Sequence, residues 1–131
     1  MPNNNTLYEI GSITKTFTGL LLAQAVFEKK IDLMADIRQY LPEKYPNLTF
    51  EEHPILIQHL ANHTAGLTSF PYEDIAAKPN FDAQNPYKHY TSDHALAHLH
   101  TVKLERKPGE KAEYSNFATG LMGIILEKYT A

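Results

Sequence analysis

The sequence predicts a mainly α domain, on three observations. Two charge-free stretches, residues 16–27 and 114–126, hold 12 and 13 residues with apolar positions at helical spacing. Helix caps and breakers punctuate what lies between them. Alternating apolar and polar spacing is brief, at Leu7-Tyr8-Glu9-Ile10. With 131 residues, 43% hydrophobic and 21% charged, residues 1–131 fit a single folded helical domain rather than a disordered chain.

In chain order, residues 1–11 read as an extended lead-in. A helix then runs from Ser12 through Phe17, Leu20, Leu21 and Phe27 to Glu28-Lys29-Lys30. It is apolar almost all round, which is the pattern of a helix with neighbours on several sides. Residues 31–42 predict a turn and a short helix through Ile37, Tyr40 and Leu41, stopped by Pro42. A second core helix is expected over 55–62, after Pro54. Residues 65–91 hold Pro71, Pro79, Pro86 and Gly66, and predict a long irregular loop. Ser92-Asp93 should cap a helix through Leu96 and Leu99, Lys107-Pro108-Gly109-Glu110 a turn, and Ser115 or Asn116 should open a last helix reaching about Tyr129.

Charge and composition exclude several functions. The net charge of −3 offers no basic field for nucleic acid. Without cysteine there is no thiol nucleophile, disulfide or Cys-ligated zinc. The longest apolar stretches fall short of the ~20 residues that span a bilayer. Met1-Pro2-Asn3-Asn4-Asn5 lacks the pattern of a secretory signal, so an export signal, if there is one, is expected to lie outside this stretch.

The chemistry concentrates in two places. In Ser12-Ile13-Thr14-Lys15, positions i and i+3 share one helix face, so the Lys15 ammonium can reach the Ser12 hydroxyl. A desolvated, neutral Lys15 could then take the Ser12 proton, and the helix N-terminus favours an oxyanion forming beside it. A chance Ser-x-x-Lys occurs in about one of two chains of this length. The alternative is that Ser12 is an N-cap and Lys15 a solvated charge. Tyr114-Ser115-Asn116 follows the Pro108-Gly109 turn: a tyrosine beside an ammonium can relay a proton, and an Asn amide can orient a lysine and a carbonyl. There the alternative is a helix cap with Tyr114 as a surface ring.

Three segments together, Tyr8-Glu9-Ile10-Gly11-Ser12-Ile13-Thr14-Lys15-Thr16-Phe17-Thr18, His59-Leu60-Ala61-Asn62-His63-Thr64-Ala65-Gly66-Leu67 and Pro108-Gly109-Glu110-Lys111-Ala112-Glu113-Tyr114-Ser115-Asn116, resemble in this order the class C β-lactamase and D-alanyl-D-alanine peptidase-like serine hydrolases. The resemblance covers residues 7–130. It implies that Ser12 is the acylated nucleophile, Lys15 its proton partner, Tyr114 the general base or relay and Asn116 a substrate-orienting amide. Ser115 would be a spacer, the Ser12 N–H half of an oxyanion hole, and residues 63–67 a turn leading to the outer wall of the site. The substrate implied is a small molecule or peptidoglycan-like peptide: a β-lactam, a D-Ala-D-Ala peptide or an ester. A periplasmic or extracellular setting and a penicillin-binding-like chemistry go with it.

The chain departs from the family pattern at Ala112, where a bulkier residue is usual, and at Lys29, where a helix-ending glycine is common. The third motif of the family, Lys or His, then Thr or Ser, then Gly, is absent from these residues. The resemblance therefore implies the helical part of the α/β β-lactamase/transpeptidase-like fold with most of the sheet missing. The chain is expected to be a portion of a longer hydrolase, inactive alone, with exposed apolar surface that promotes self-association. The competing class is a catalytically silent helical module that retains the Ser-x-x-Lys pocket. No cofactor is expected. His59/His63 and His94/His98 have the i, i+4 spacing of helical metal ligands, but no Glu completes a ligand motif and no metal site is expected.

Overall fold

The computed structural model describes residues 1–130 and is mainly helical. A 3-10 turn at Gly11–Ile13 leads into α1 (Thr14–Phe27). A second 3-10 turn spans Ile37–Gln39. A two-stranded antiparallel hairpin of β1 (Thr49–Phe50) and β2 (His53–Pro54) precedes α2 (Ile57–Ala61), α3 (Tyr72–Ala76), α4 (Ser92–Leu99) and α5 (Asn116–Thr130).

The fold is organised around α5, which packs against α1, α2 and α4. Phe117, Ala118, Leu121 and Ile125 form its buried stripe at helical spacing. Each of the larger three contributes about 1.5–3 kcal/mol of apolar burial. They meet Leu22 and Ala25 of α1, Ile57 and Leu60 of α2, and Leu99 of α4 in one continuous core. The half-buried Lys15 and Thr18 continue the inward face of α1. Its outward face exposes Phe17, Leu20, Leu21 and Phe27. The helix that reads as apolar all round is thus covered on one side only among the described residues.

Several expectations shift in detail. Only a 3-10 turn forms in 31–42; Asp36 caps it by accepting the Arg38 N–H at 2.9 Å. The second core helix shortens to α2 because residues 54–56 are engaged in pairing: Ile37 N–H donates to Ile55 O at 3.0 Å, and Asp36 bridges Leu56. The hairpin turns at Glu51, whose φ is +51°. It has no Gly or Asn to announce it, and two-residue strands are too short to alternate. The long loop contains α3, which follows Pro71 and carries Glu73 and Asp74 in its first turn, where the helix dipole favours them. The cap of α4 is Thr91, not Ser92, and accepts the His94 N–H at 3.4 Å.

The loop is held by aromatic contacts, Phe70 on Tyr87 at 4.4 Å and Tyr72 on Phe81 at 5.6 Å, and by the His98–Asp74 pair joining α4 to α3. Helix α1 ends as a Schellman turn: Lys30 N–H bonds Ala25 O at 2.9 Å and Lys29 N–H bonds Val26 O at 3.0 Å. Lys29 sits at the left-handed position, φ +58°, where glycine is usual.

Candidate active site

The first turns of α1 and α5 lie side by side. This brings Lys15, second residue of α1, to Asn116, first residue of α5: Lys15 Nζ donates to Asn116 Oδ1 at 2.7 Å and to Ser12 Oγ at 3.1 Å. Ser12 Oγ lies 2.7 Å from Tyr114 Oη, and Lys15 Nζ stands 4.9 Å from the centre of the Tyr114 ring. All four residues singled out from the sequence therefore meet. Ser12 does not cap its helix; the residues at the cap positions are Ile10 and Ile13, and the Ser12 hydroxyl faces Tyr114 and Lys15. Lys15 is half-buried and hydrogen-bonded rather than simply solvated.

Electrostatics follow from this contact. The Lys15 hydrogen bond, with a smaller effect from Ser12, holds the Tyr114 phenol below its ordinary value of 10.0. The phenol is also exposed, so a substrate can reach it.

Tyr114 is delivered by the 109–113 segment, which runs along residues 63–64. Gly109 N–H donates to Thr64 O at 2.8 Å, and Glu113 N–H donates to His63 O at 2.8 Å. Gly109 adopts φ +94°, and a Cβ there would stand 3.1 Å from His59 Nε2. A side chain there would be strained by the backbone and crowded by the His59 ring. His59 is buried; burial lowers its pKa from 6.5, and its Nδ1 accepts the Leu56 N–H at 3.1 Å.

Ser115 does more than space Tyr114 from Asn116. Its buried Oγ donates to Thr68 O at 2.6 Å and accepts the Ala118 N–H at 2.9 Å, tying the start of α5 to the loop. Phe117 N–H, on Ser69 O at 3.0 Å, adds a second tie. The sequence signal for the cap was a serine three residues before Ala118 at a helix start; its loop partner had no signal.

The histidine pairs are otherwise engaged. His63 Nδ1 accepts the Ser115 N–H at 3.3 Å, His94 Nδ1 lies 3.3 Å from Thr91 Oγ1, and His98 pairs with Asp74. No cluster of three or more His, Cys, Asp or Glu that could hold a metal occurs among the described residues. A cavity of about 230 Å³, lined by Phe70, Tyr87, Tyr90, Phe117 and Ile124, opens beside Asn116.

The sequence model of the β-lactamase family matches residues 2–131. The chain belongs to the β-lactamase family. Within it, the chain is 32% identical over 126 residues to a β-lactamase of Providencia stuartii, an alignment covering 96% of this chain and 28% of that protein. The chain thus spans little more than a quarter of that relative's length. Its fold superimposes on the β-lactamase/D-alanine carboxypeptidase of Yersinia pestis with a TM-score of 0.76 and 27% identity, over 98% of this chain and 37% of that one. It also matches the octameric penicillin-binding protein homologue of Pyrococcus abyssi, with a TM-score of 0.72, 29% identity, and coverage of 94% and 27%. The described residues are a partial β-lactamase-like fold, mostly helical with one two-stranded sheet. No helix among them is long and apolar enough to cross a membrane.

Proposed function

We propose that this chain carries the nucleophile-bearing part of a serine hydrolase that works by acyl transfer. The observation behind the reading is that the Ser12 hydroxyl is hydrogen-bonded at once to Tyr114 and Lys15, with Lys15 in turn bound to Asn116. A lone surface serine is a poor nucleophile; one paired with an activated phenol has a base within reach.

In the proposed reaction Ser12 Oγ attacks a carbonyl carbon while its proton passes to Tyr114 Oη. Lys15 stabilises the phenolate before the transfer and the developing negative charge after it. The proton then goes from Tyr114 to the leaving nitrogen or oxygen as its bond to the carbonyl carbon breaks. Water later enters by the same route and releases the acid. Asn116 holds Lys15 and offers its amide N–H to the substrate carbonyl. The cavity beside Asn116 gives apolar walls to the group attached to that carbonyl. The substrate class is a β-lactam, a D-Ala-D-Ala peptide or a simple ester. The chain acts as a portion of a longer hydrolase, and the exposed face of α1 supports self-association when it stands alone.

The test is intact-mass spectrometry after exposure to a β-lactam and to a fluorophosphonate. Acylation calls on Ser12, Lys15 and Tyr114, which this chain holds, so one adduct without turnover on the wild type, absent from Ser12→Ala and from Lys15→Ala, is the expected result. No adduct from either reagent would favour a catalytically silent helical module.

A further inference from the structure

Half of the Tyr114 side chain is exposed, its relative exposure being 52%, yet its hydroxyl is held 2.7 Å from Ser12 Oγ. An exposed aromatic ring on an irregular segment has several rotamers open to it, and fixing one costs side-chain entropy. Something other than burial must hold it. The residue in contact with Tyr114 and with both of its chain neighbours is His63.

His63 binds the backbone on both sides of Tyr114. Its carbonyl accepts the Glu113 N–H at 2.8 Å, and its Nδ1 accepts the Ser115 N–H at 3.3 Å. Its ring lies 4.7 Å from the Tyr114 ring at an interplanar angle of 40°. One residue thus engages the residue before, the ring of and the residue after the tyrosine. The backbone of His63 is left-handed, φ +61°, a conformation that strains a non-glycine residue. Strain of this kind persists where surrounding contacts over-determine it. The acceptor role of Nδ1 assigns the ring proton to Nε2.

We propose that His63 is a positioning residue, which fixes the Tyr114 hydroxyl against Ser12 by clamping residues 113 and 115 and packing at a tilt against the ring between them. The proposal rests on the reading of Tyr114 as the group that takes the Ser12 proton. His63 touches neither Ser12 nor a substrate carbonyl in this role; it acts through Tyr114.

The test combines two readouts that do not need turnover with one that does. In the wild type, ¹⁵N NMR of the His63 ring above neutral pH should report the Nε2–H tautomer; an Nδ1–H tautomer removes the bond to Ser115 and overturns the proposal. In His63→Asn, a residue that accepts a left-handed backbone, the ¹³Cζ resonance of Tyr114, assigned by comparison with Tyr114→Phe, should titrate closer to 10 than in the wild type. An unchanged titration overturns the proposal. Fluorophosphonate labelling of Ser12 should slow at least ~10-fold in His63→Asn and no further when His63→Asn is added to Tyr114→Phe, because the two act as a unit. An equal fractional loss in both backgrounds overturns it. If the wild type is not labelled, the acyl-transfer reading fails, and the two NMR measurements still decide whether His63 positions Tyr114.

Discussion

Ser12 Oγ and Tyr114 Oη are separated by 102 positions in the chain and by 2.7 Å in space. Lys15 completes the group with one bond to Ser12 and one to Asn116. Two helix starts, neither of which has a site alone, make one when α1 lies along α5.

This relationship predicts a pH dependence. The Lys15 hydrogen bond is the largest cause lowering the Tyr114 pKa, so the phenolate fraction, and with it the rate of Ser12 labelling, should rise with pH through a midpoint below 10.0. Lys15→Ala should raise the Tyr114 midpoint toward 10, read by ¹³Cζ NMR, and Tyr114→Phe should remove the rising limb. For stability the sign runs the same way: a depressed pKa adds stability above the unfolded value near 10 and loses it as pH falls through the folded midpoint. Ionisation of Tyr114 should therefore add nothing to stability at neutral pH. A labelling rate independent of pH would remove Tyr114 as the base.

Ser115→Ala should cost about 2 kcal/mol in urea unfolding. It deletes the cap on Ala118 N–H and the donor to the Thr68 carbonyl together. Ser12 labelling should fall as well, because the same change frees the start of α5 that carries Asn116. A loss below about 0.5 kcal/mol would mean that neither bond matters to stability.

Lys29→Gly should stabilise the chain by about 0.5–1 kcal/mol. Lys29 holds φ +58° in the Schellman turn closing α1, where glycine has no Cβ to strain. The gain is limited by the extra freedom of glycine in the unfolded chain. Equal or lower stability in thermal and urea unfolding would contradict the strain argument.

The outward face of α1 predicts behaviour in solution. Phe17, Leu20 and Phe27 are 58%, 66% and 87% exposed. The 131-residue chain should bind a hydrophobic dye and associate in light scattering. Phe17→Lys with Leu20→Glu should reduce both without lowering the unfolding midpoint, since neither side chain is in the core. A dye-negative monomer would rule out the association.

The local part of this site is legible in the order of residues along the chain. The i, i+3 spacing put Lys15 within reach of Ser12, the Pro108-Gly109 turn and the serine cap marked the start of α5, and the mainly helical class followed from apolar spacing at helical period. These features depend on residues within one or two turns of each other. The hairpin at 49–54 escaped because its turn uses Glu51 at positive φ with no glycine, and α3 escaped because five residues carry too little periodicity among prolines. The expected spacer, Ser115, became a clamp because its partner Thr68 lies 47 residues away. That Tyr114 meets Ser12, that His63 grips both neighbours of that tyrosine, and that one face of α1 stays open among the described residues follow from long-range packing. Those contacts arise when Phe117, Leu121 and Ile125 of α5 bury against α1, α2 and α4, and apolar burial is non-directional, so spacing along the chain does not specify it.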